Sequence, residues 1–360
     1  MDALEFFSGI GGLHAALTQV QPESHILASF DINPNAYLVY HHNYPTVPYI
    51  QKDITGITAK EINEYKADIW LLSPPCQPHT RQGMQKDCSD SRSDGFLHIV
   101  SLLGAISHIP QYLLLENVEG FEKSESRERL MTVLKERDYH VQEFILSPNQ
   151  FGVPNQRDRY FLIARIRAFP EVENTLPRIH NCLRVIPGNK NCHYIEYKNG
   201  TAEMGTKESQ ELWNSMNANC APLSSFLDNE VVLGKDITQY RVPRRVLEKS
   251  GRILDIVSPT DHYSCCFTKA YRKYQTGTGS VLQTEEPYQQ APICRDVDNL
   301  LKLGLRYFTS SEMKRLHGFP ESFGFPDEVN ENQRAKLVGN SLSVSVVAEL
   351  LRYLFQSRVC

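Results

Sequence analysis

The first 166 residues alternate short apolar runs with helical patterns, and few folds accommodate that rhythm. Strand-like runs occupy 3–7 (ALEFF), 26–30 (ILASF), 69–72 (IWLL), 112–115 (YLLL), 141–146 (VQEFIL) and 160–164 (YFLIA). Several are apolar at every position, which suits parallel strands covered on both faces. Between them, 95–108 and 126–137 repeat apolar residues at spacings of three and four, as amphipathic helices do. The alternation predicts an α/β fold, a doubly wound, Rossmann-like sheet with helices on both faces.

From about 168 to 305 the rhythm degrades, with Pro170, Pro177, Pro187, Gly188, Asn189 and Asn191 crowding the start. This stretch reads as a smaller, irregular lobe. Helical order returns at 309–317 and 333–355, where Val344, Val347, Leu351 and Leu354 form one apolar stripe. The expected division is therefore 1–167 plus 306–360 as one domain and 168–305 as another. No run of about 18 apolar residues is evident, so no membrane span is expected. The N-terminus lacks a basic segment followed by a long apolar run, which argues against a secretory signal. Nine cysteines without regular spacing suit a reduced protein better than a disulfide framework. Cys182, Cys192, His193 and Cys220 lack a paired-ligand spacing, so no metal site is expected.

The net charge of −4 argues mildly against a nucleic-acid partner. The charge is uneven, however: Arg241, Arg244, Arg245, Lys249 and Arg252 cluster, and Lys269, Arg272 and Lys273 follow. Such clusters are solvated surface charges more often than they are binding faces.

Four places carry chemistry. The first strand runs into FFSGIGG (6–12) and then a helix, and glycines at such a turn let the backbone approach a ligand. His14 stands where a dinucleotide fingerprint has its third glycine, which disfavours a pyrophosphate. Asp31, about twenty residues on, ends the second strand where a carboxylate can take both hydroxyls of a ribose. Asp53 can bind an exocyclic amine, or simply cap the turn Asp53–Ile54–Thr55. Phe7 can offer a ring face to a cation. The run SPPCQP (73–78) then places Cys76 at the carboxyl end of the fourth strand, where ligands of such sheets sit. A lone cysteine is usually a small buried hydrophobe, but two prolines fix the backbone just before this one. Glu116 ends the fifth strand, and Arg157 and Arg159, two residues apart, share a side of an extended chain.

FFSGIGG, SPPCQP, the ENV of 116–118, the Arg-x-Arg element, RYFTSSEMKRLHGFP (306–320) and the GNS of 339–341 occur in order. Together they resemble the motifs of the cytosine-C5 methyltransferases. CFTKAYRKYQTGTGSVLQT (266–284) resembles the eukaryotic branch that methylates transfer RNA while keeping a DNA-methyltransferase fold. The resemblance implies S-adenosylmethionine as cofactor, S-adenosylhomocysteine as product, and Cys76 as a thiolate that adds to C6 of cytosine. Glu116 would protonate N3, Arg159 would hold O2, and Arg157 would support a loop or a phosphate. Phe7, Ile10, Gly11, Gly12, Asp31, Asp53, Ile54, Ser73, Asn340 and Ser341 would line the cofactor site. The lobe at 168–305 becomes the target-recognition domain. The implied partner is tRNA, specifically the anticodon loop of tRNA-Asp at cytosine 38, bound by a monomer in the cytoplasm and also the nucleus, with weak action on DNA.

Two departures stand out. His79 follows PPCQP where an aromatic is expected, and Asn155 replaces the more usual glutamine before the Arg-x-Arg element. Two other functions stay open: the same chemistry on DNA, and a catalytically idle nucleic-acid binder that keeps the fold.

Overall fold

The computed structural model describes residues 1–75, 94–170, 175–193, 217–228, 237–285, 288 and 296–356. A nine-stranded sheet runs in the order β3-β2-β1-β4-β5-β7-β6-β9-β8. Its strands are β1 (Asp2–Phe6), β2 (His25–Phe30), β3 (Tyr49–Ile50), β4 (Ile69–Leu72), β5 (Tyr112–Val118), β6 (His140–Leu146), β7 (Arg159–Arg165), β8 (Arg178–Ile179) and β9 (Cys182–Leu183). The first five pair in parallel. All six strands expected from the sequence are present, and the architecture is the expected Rossmann-like α/β sheet.

One expectation needs correction. β7 is antiparallel to both β5 and β6, so the sheet is mixed. The connection from β6 to β7 carries only a short 3-10 turn at Pro148–Phe151. A parallel return requires a long crossover, usually helical, whereas a short link returns the chain antiparallel.

The two faces follow from the side-chain alternation. Leu4, Phe6, Trp70, Leu72, Leu113 and Leu115 face one buried cluster, with α3 (Ala59–Tyr65), α4 (Asp94–Ala105) and α5 (Glu125–Glu136) supplying its cover. Ala3, Ile69, Leu71 and Leu114 face the other, under α1 (Gly12–Val20). This face also takes the chain's C-terminal segment. There α9 (Glu331–Asn340) and α10 (Val344–Leu354) are separated by an extended Ser341, and α10 lies along α1. Contrary to the expectation from composition, the stretch Glu331–Leu354 is long and apolar enough to cross a bilayer, but 72% of its apolar window is buried inside the protein. It is a core element.

α2 (Pro34–Asn43) lies between β2 and β3 and was not anticipated. Its signals are nonetheless local: Asn33 caps the amides of Asn35 and Ala36, and Pro34 occupies the first helical turn. The segment that opens RYFTSSEMKRLHGFP is equally legible. Thr309 and Glu312 form a reciprocal capping box that starts α8 (Ser310–Leu316). Glu312, fully buried, also takes a bidentate pair from Arg306 at 2.7 and 2.8 Å.

In the later half, α6 (Arg244–Ser250) and α7 (Val297–Lys302) touch each other, and a three-stranded sheet is formed by β10 (Ile256–Val257), β11 (Val281–Leu282) and β12 (Arg306–Tyr307). Both sheets cross the boundaries expected at 167/168 and 305/306. β9 pairs with β6 of the large sheet, and β12 pairs with β11 of the small one. Val257, Phe267 and Leu282 share one buried cluster with Leu13 and Val347.

Candidate active site

The strand order reverses direction between β1 and β4, which makes the carboxyl ends of these two strands the crevice where an open α/β sheet binds its ligand. The glycine turn follows β1, and Ser73–Pro74–Pro75 follows β4. The turn is conformationally demanding: Phe7, Gly9 and Gly11 all have positive φ (57°, 53° and 89°). At Gly11 a Cβ would also fall 2.8 Å from the Tyr44 ring. Gly9 N–H donates to Asp31 Oδ2 and Asn33 N–H to Oδ1, both at 2.8 Å. Each carboxylate oxygen keeps a further lone pair for a ligand hydroxyl. Ser73 Oγ donates to the Phe7 carbonyl at 3.0 Å, which ties β4's end to the turn. Gly12 lies so close to Ser341 that a Cβ there would be 3.0 Å from its Oγ.

Phe7, Ile10, Gly11, Gly12, Asp31, Ser73 and Ser341 are thus drawn together. Ile54 is buried in the core beside them, whereas Asp53 and Asn340 are exposed. Asp53 caps a 3-10 turn by accepting from Thr55 N–H at 3.0 Å, the plainer of its two expected roles. The amide and hydroxyl of Thr55 hold its carboxyl below the usual range. Ile32, next to Asp31, is 65% exposed and presents apolar surface at the crevice rim.

Glu5 was not anticipated. It is fully buried in β1, and α1 has no side-chain cap of its own. Glu5 reaches up from the strand instead, accepting from His14 N–H in the first turn at 3.2 Å and from the Tyr40 hydroxyl at 2.9 Å. Burial pushes its carboxyl up to about 8 despite these donors, and burial pushes the His14 imidazole down to about 4. A charged residue inside an apolar parallel strand was the available signal.

On the neighbouring edge, Glu116 of β5 and Arg159 of β7 meet at 3.6 Å. Glu116 is 9% exposed; burial raises its carboxyl above the usual range, against the opposing pull of Arg159 and Arg157. Arg157 points elsewhere. Only 4% exposed, it donates to the carbonyls of Phe267 (2.8 Å), Gly339 (3.4 Å) and Ser341. It therefore joins the β6–β7 connection to the strap at 264–267 and to the α9–α10 junction. Asn155, one of the two departures noted, stitches the same strap by donating to Ser264 Oγ and the Cys265 carbonyl.

The strap delivers Cys266, a second feature not anticipated. Its Sγ lies 3.2 Å from Arg157 Nη1 and 3.7 Å from Arg159 Nη2. Burial favours the neutral thiol, but the two guanidiniums outweigh it and hold Cys266 below the ordinary thiol range. His317 of the LHGFP segment faces the same arginines and is pushed down to about 3, first by burial and then by their charge. Cys76 and His79 lie outside the described residues, immediately after Pro75. Among the described residues no cluster of three His, Cys, Asp or Glu suited to a metal is found.

The basic clusters are partly neutralised. Arg241 pairs with Glu285 and Arg244 with Glu248. Arg272 lies over the rings of Tyr240 and Tyr307, and Lys273 over the exposed ring of Tyr274.

A Rossmann-like sheet with a glycine cradle at its switch point, and an acid–arginine pair on the next strands, is the frame of an α/β protein that binds its ligand at the strands' carboxyl ends. The chain belongs to the C-5 cytosine-specific DNA methylase family, whose model matches residues 1–356. It is 38% identical to the tRNA (cytosine(38)-C(5))-methyltransferase of Homo sapiens over 98% of both chains. It is 37% identical to a DNA (cytosine-5)-methyltransferase of Dictyostelium discoideum, covering 98% of this chain and 93% of that one. Among solved structures, the S. pombe Dnmt2 methyltransferase superposes with a TM-score of 0.78 at 33% identity, over 98% of each chain.

The packing of the α9–α10 junction yields a prediction. A Cβ on Gly339 would stand 2.3 Å from the Thr268 carbonyl. Gly339→Ala must therefore push the strap away from the junction, and we expect a loss of about 1–3 kcal/mol, read from the urea midpoint. An unchanged midpoint would show that the strap yields freely.

Proposed function

We propose that the protein transfers a methyl group from S-adenosylmethionine to C5 of a cytosine in tRNA, through a covalent bond between Cys76 and C6 of the base. The observation that carries this reading is the convergence of Glu116 and Arg159 on the edge next to β4, whose end leads directly into Cys76. The relative named for action on cytosine 38 of tRNA supports tRNA as substrate, and we extend the reading to the anticodon loop of tRNA-Asp.

The cofactor suits the crevice: the glycines leave the space a Cβ would fill at Gly11 and Gly12, and Asp31 retains acceptors for ribose hydroxyls. Phe7, Ile10, Ile54, Ser73, Asn340 and Ser341 would complete its lining, and Asp53 and Ile32 at the rim would hold its adenine. When bound, S-adenosylmethionine supplies an electrophilic methyl on a sulfonium.

The chain's residues prepare the base to accept it. The Cys76 thiolate adds to C6, the electron pair moves toward C5, and Glu116 gives its proton to N3. Arg159 holds O2 by a charge-assisted hydrogen bond. After transfer, a base takes the C5 proton, Cys76 leaves C6 as a thiolate, and N3 returns its proton to Glu116, which restores the ring. The target base must be splayed to reach the crevice, which costs less in a loop than in a duplex. We assign 168–305 to recognition of that loop.

The test uses the full chain and its Cys76→Ala variant with methyl-labelled S-adenosylmethionine, and either total tRNA or duplex DNA. Label in RNA as 5-methylcytosine, lost in the variant, is the expected result. Label mainly in DNA, as the name of the Dictyostelium relative suggests for that protein, keeps the mechanism and overturns the substrate. No label on either, with cofactor still bound, overturns both and leaves an idle binder.

A further inference from the structure

The turn at 269–274, which follows the strap, is pinned along α9. A Cβ on Gly339 would stand 3.0 Å from Lys269 N, so the turn begins against the C-terminal end of that helix. Arg272 Nη1 donates to Asn332 Oδ1 at 3.1 Å, so it returns against the helix's first turn. Between these two contacts α9 rises about 10 Å, and its C-terminal end is the junction whose Ser341 meets the glycine cradle. Arg272 has a φ of 67°, which is costly for any residue with a side chain. The rings of Tyr240 and Tyr307 and the Gln239 carbonyl hold it there. Tyr274 is fixed through its backbone: its N–H donates to the Ala270 carbonyl at 3.1 Å, and its carbonyl accepts from the Thr278 hydroxyl at 2.6 Å. Its ring is nevertheless 59% exposed, with Lys273 Nζ 5.4 Å from the ring centre. Lys269 and Lys336 are exposed along the same helix, while Glu331, the acid of its first turn, is engaged by the Ser310 amide and hydroxyl. One exposed ring is ordinary. A ring held in place, with an ammonium beside it on the helix that leads to the crevice, offers the two contacts a single strand of nucleic acid takes. These are a stacking face for a base and a positive charge for a phosphate.

We propose that Tyr274 and Lys273 form a docking platform for unpaired RNA nucleotides flanking the target cytosine, the ring stacking on one base and the ammonium pairing with a phosphate. The inference rests on the function proposed above and adds where the RNA strand lies. The rise of about 10 Å along α9 corresponds to on the order of three nucleotides of one strand. The stacked base therefore belongs to the same loop as the target. A paired duplex keeps its base faces stacked on one another, whereas a loop can splay one out, so the platform selects a loop over a duplex.

The experiment measures equilibrium binding of three labelled probes to the full chain by fluorescence anisotropy. The probes are an RNA hairpin whose loop carries the target cytosine, the same RNA fully paired with its complement, and the matching duplex DNA. Tyr274→Ala is expected to weaken hairpin binding by about tenfold, within the range of one base–aromatic stack, and to leave both duplexes unchanged. Tyr274→Phe keeps the ring and should bind the hairpin as the unmodified chain does. Lys273→Ala should lower the slope of log affinity against log salt by about 0.7, the share of one phosphate on a single strand. An unchanged hairpin affinity in Tyr274→Ala, or an equal loss for the duplexes, overturns the proposal. A parallel measurement does not depend on the variants folding. Acetylation of Lys273 in the unmodified chain, followed by mass spectrometry, should slow when the hairpin is bound, and an unprotected Lys273 overturns the proposal. If the chain methylates DNA alone, or neither substrate, the proposed function fails, and hairpin binding by Tyr274→Ala still decides the platform. If it methylates tRNA while that variant binds the hairpin normally, the platform alone fails.

Discussion

Glutamine at position 116 will lower the single-turnover rate of methyl transfer by about 10²–10⁴-fold, the usual worth of a positioned general acid, while cofactor binding is retained. The substitution keeps the volume and the hydrogen-bonding reach of a side chain that is 9% exposed, so packing is not at issue. It removes the transferable proton. It also removes the partner of Arg159 at 3.6 Å, but the guanidinium keeps its bond to the Asp158 carbonyl and its place beside Cys266. Quench-flow with labelled cofactor separates the chemical step from tRNA release, and a loss smaller than about tenfold would mean that another group protonates the base. Glu116 is raised by burial, so wild-type transfer should fall as pH rises past its protonation, a limb that Glu116→Gln should lack.

Alanine at position 157 will cost about 3 kcal/mol or more of stability, because it strands two buried carbonyls and a partly buried third that the guanidinium now satisfies. The expectation from motif resemblance was support of a loop or of a phosphate, and the geometry favours the loop. The side chain is turned inward and almost wholly out of water. Arg157→Lys should recover little, since an ammonium lacks the fork that reaches Phe267 on one arm and the α9–α10 junction on the other. The urea midpoint should fall with an unchanged slope. A variant of normal stability but weakened tRNA affinity would instead restore the phosphate role.

How much of this could be read before folding depends on the distance over which each feature is encoded. The glycine turn was legible because its demand is local: positive φ at Gly9 and Gly11 belongs to those residues wherever the chain goes. The position of Glu116 at a strand's carboxyl end was legible because apolar runs announce strands, and ligands collect beyond such ends; Cys76 was chosen by the same reasoning and lies outside the described residues. Ser341 owed its selection to a motif, and its approach to Gly12 is made by α10 packing on α1. Asp53 shows where local reading stops. The same residue served a ligand reading and a capping reading, and the fold displays the cap at Thr55.

Three features took their partners from the tertiary structure. Glu5 completes the first turn of α1 from a strand nine residues away from the amide it accepts. The mixed direction of the sheet follows from how β7 returns beside β5. Cys266 reaches Arg157 across 109 positions of sequence. By itself the sequence determined what periodicity and local geometry can carry: the strands, the helix starts, the glycine cradle and the residue types of the site. Only the tertiary structure decided which charges face one another. A charge acts through distances of a few ångströms in a low-dielectric interior, and no local pattern records which remote segment will fill them.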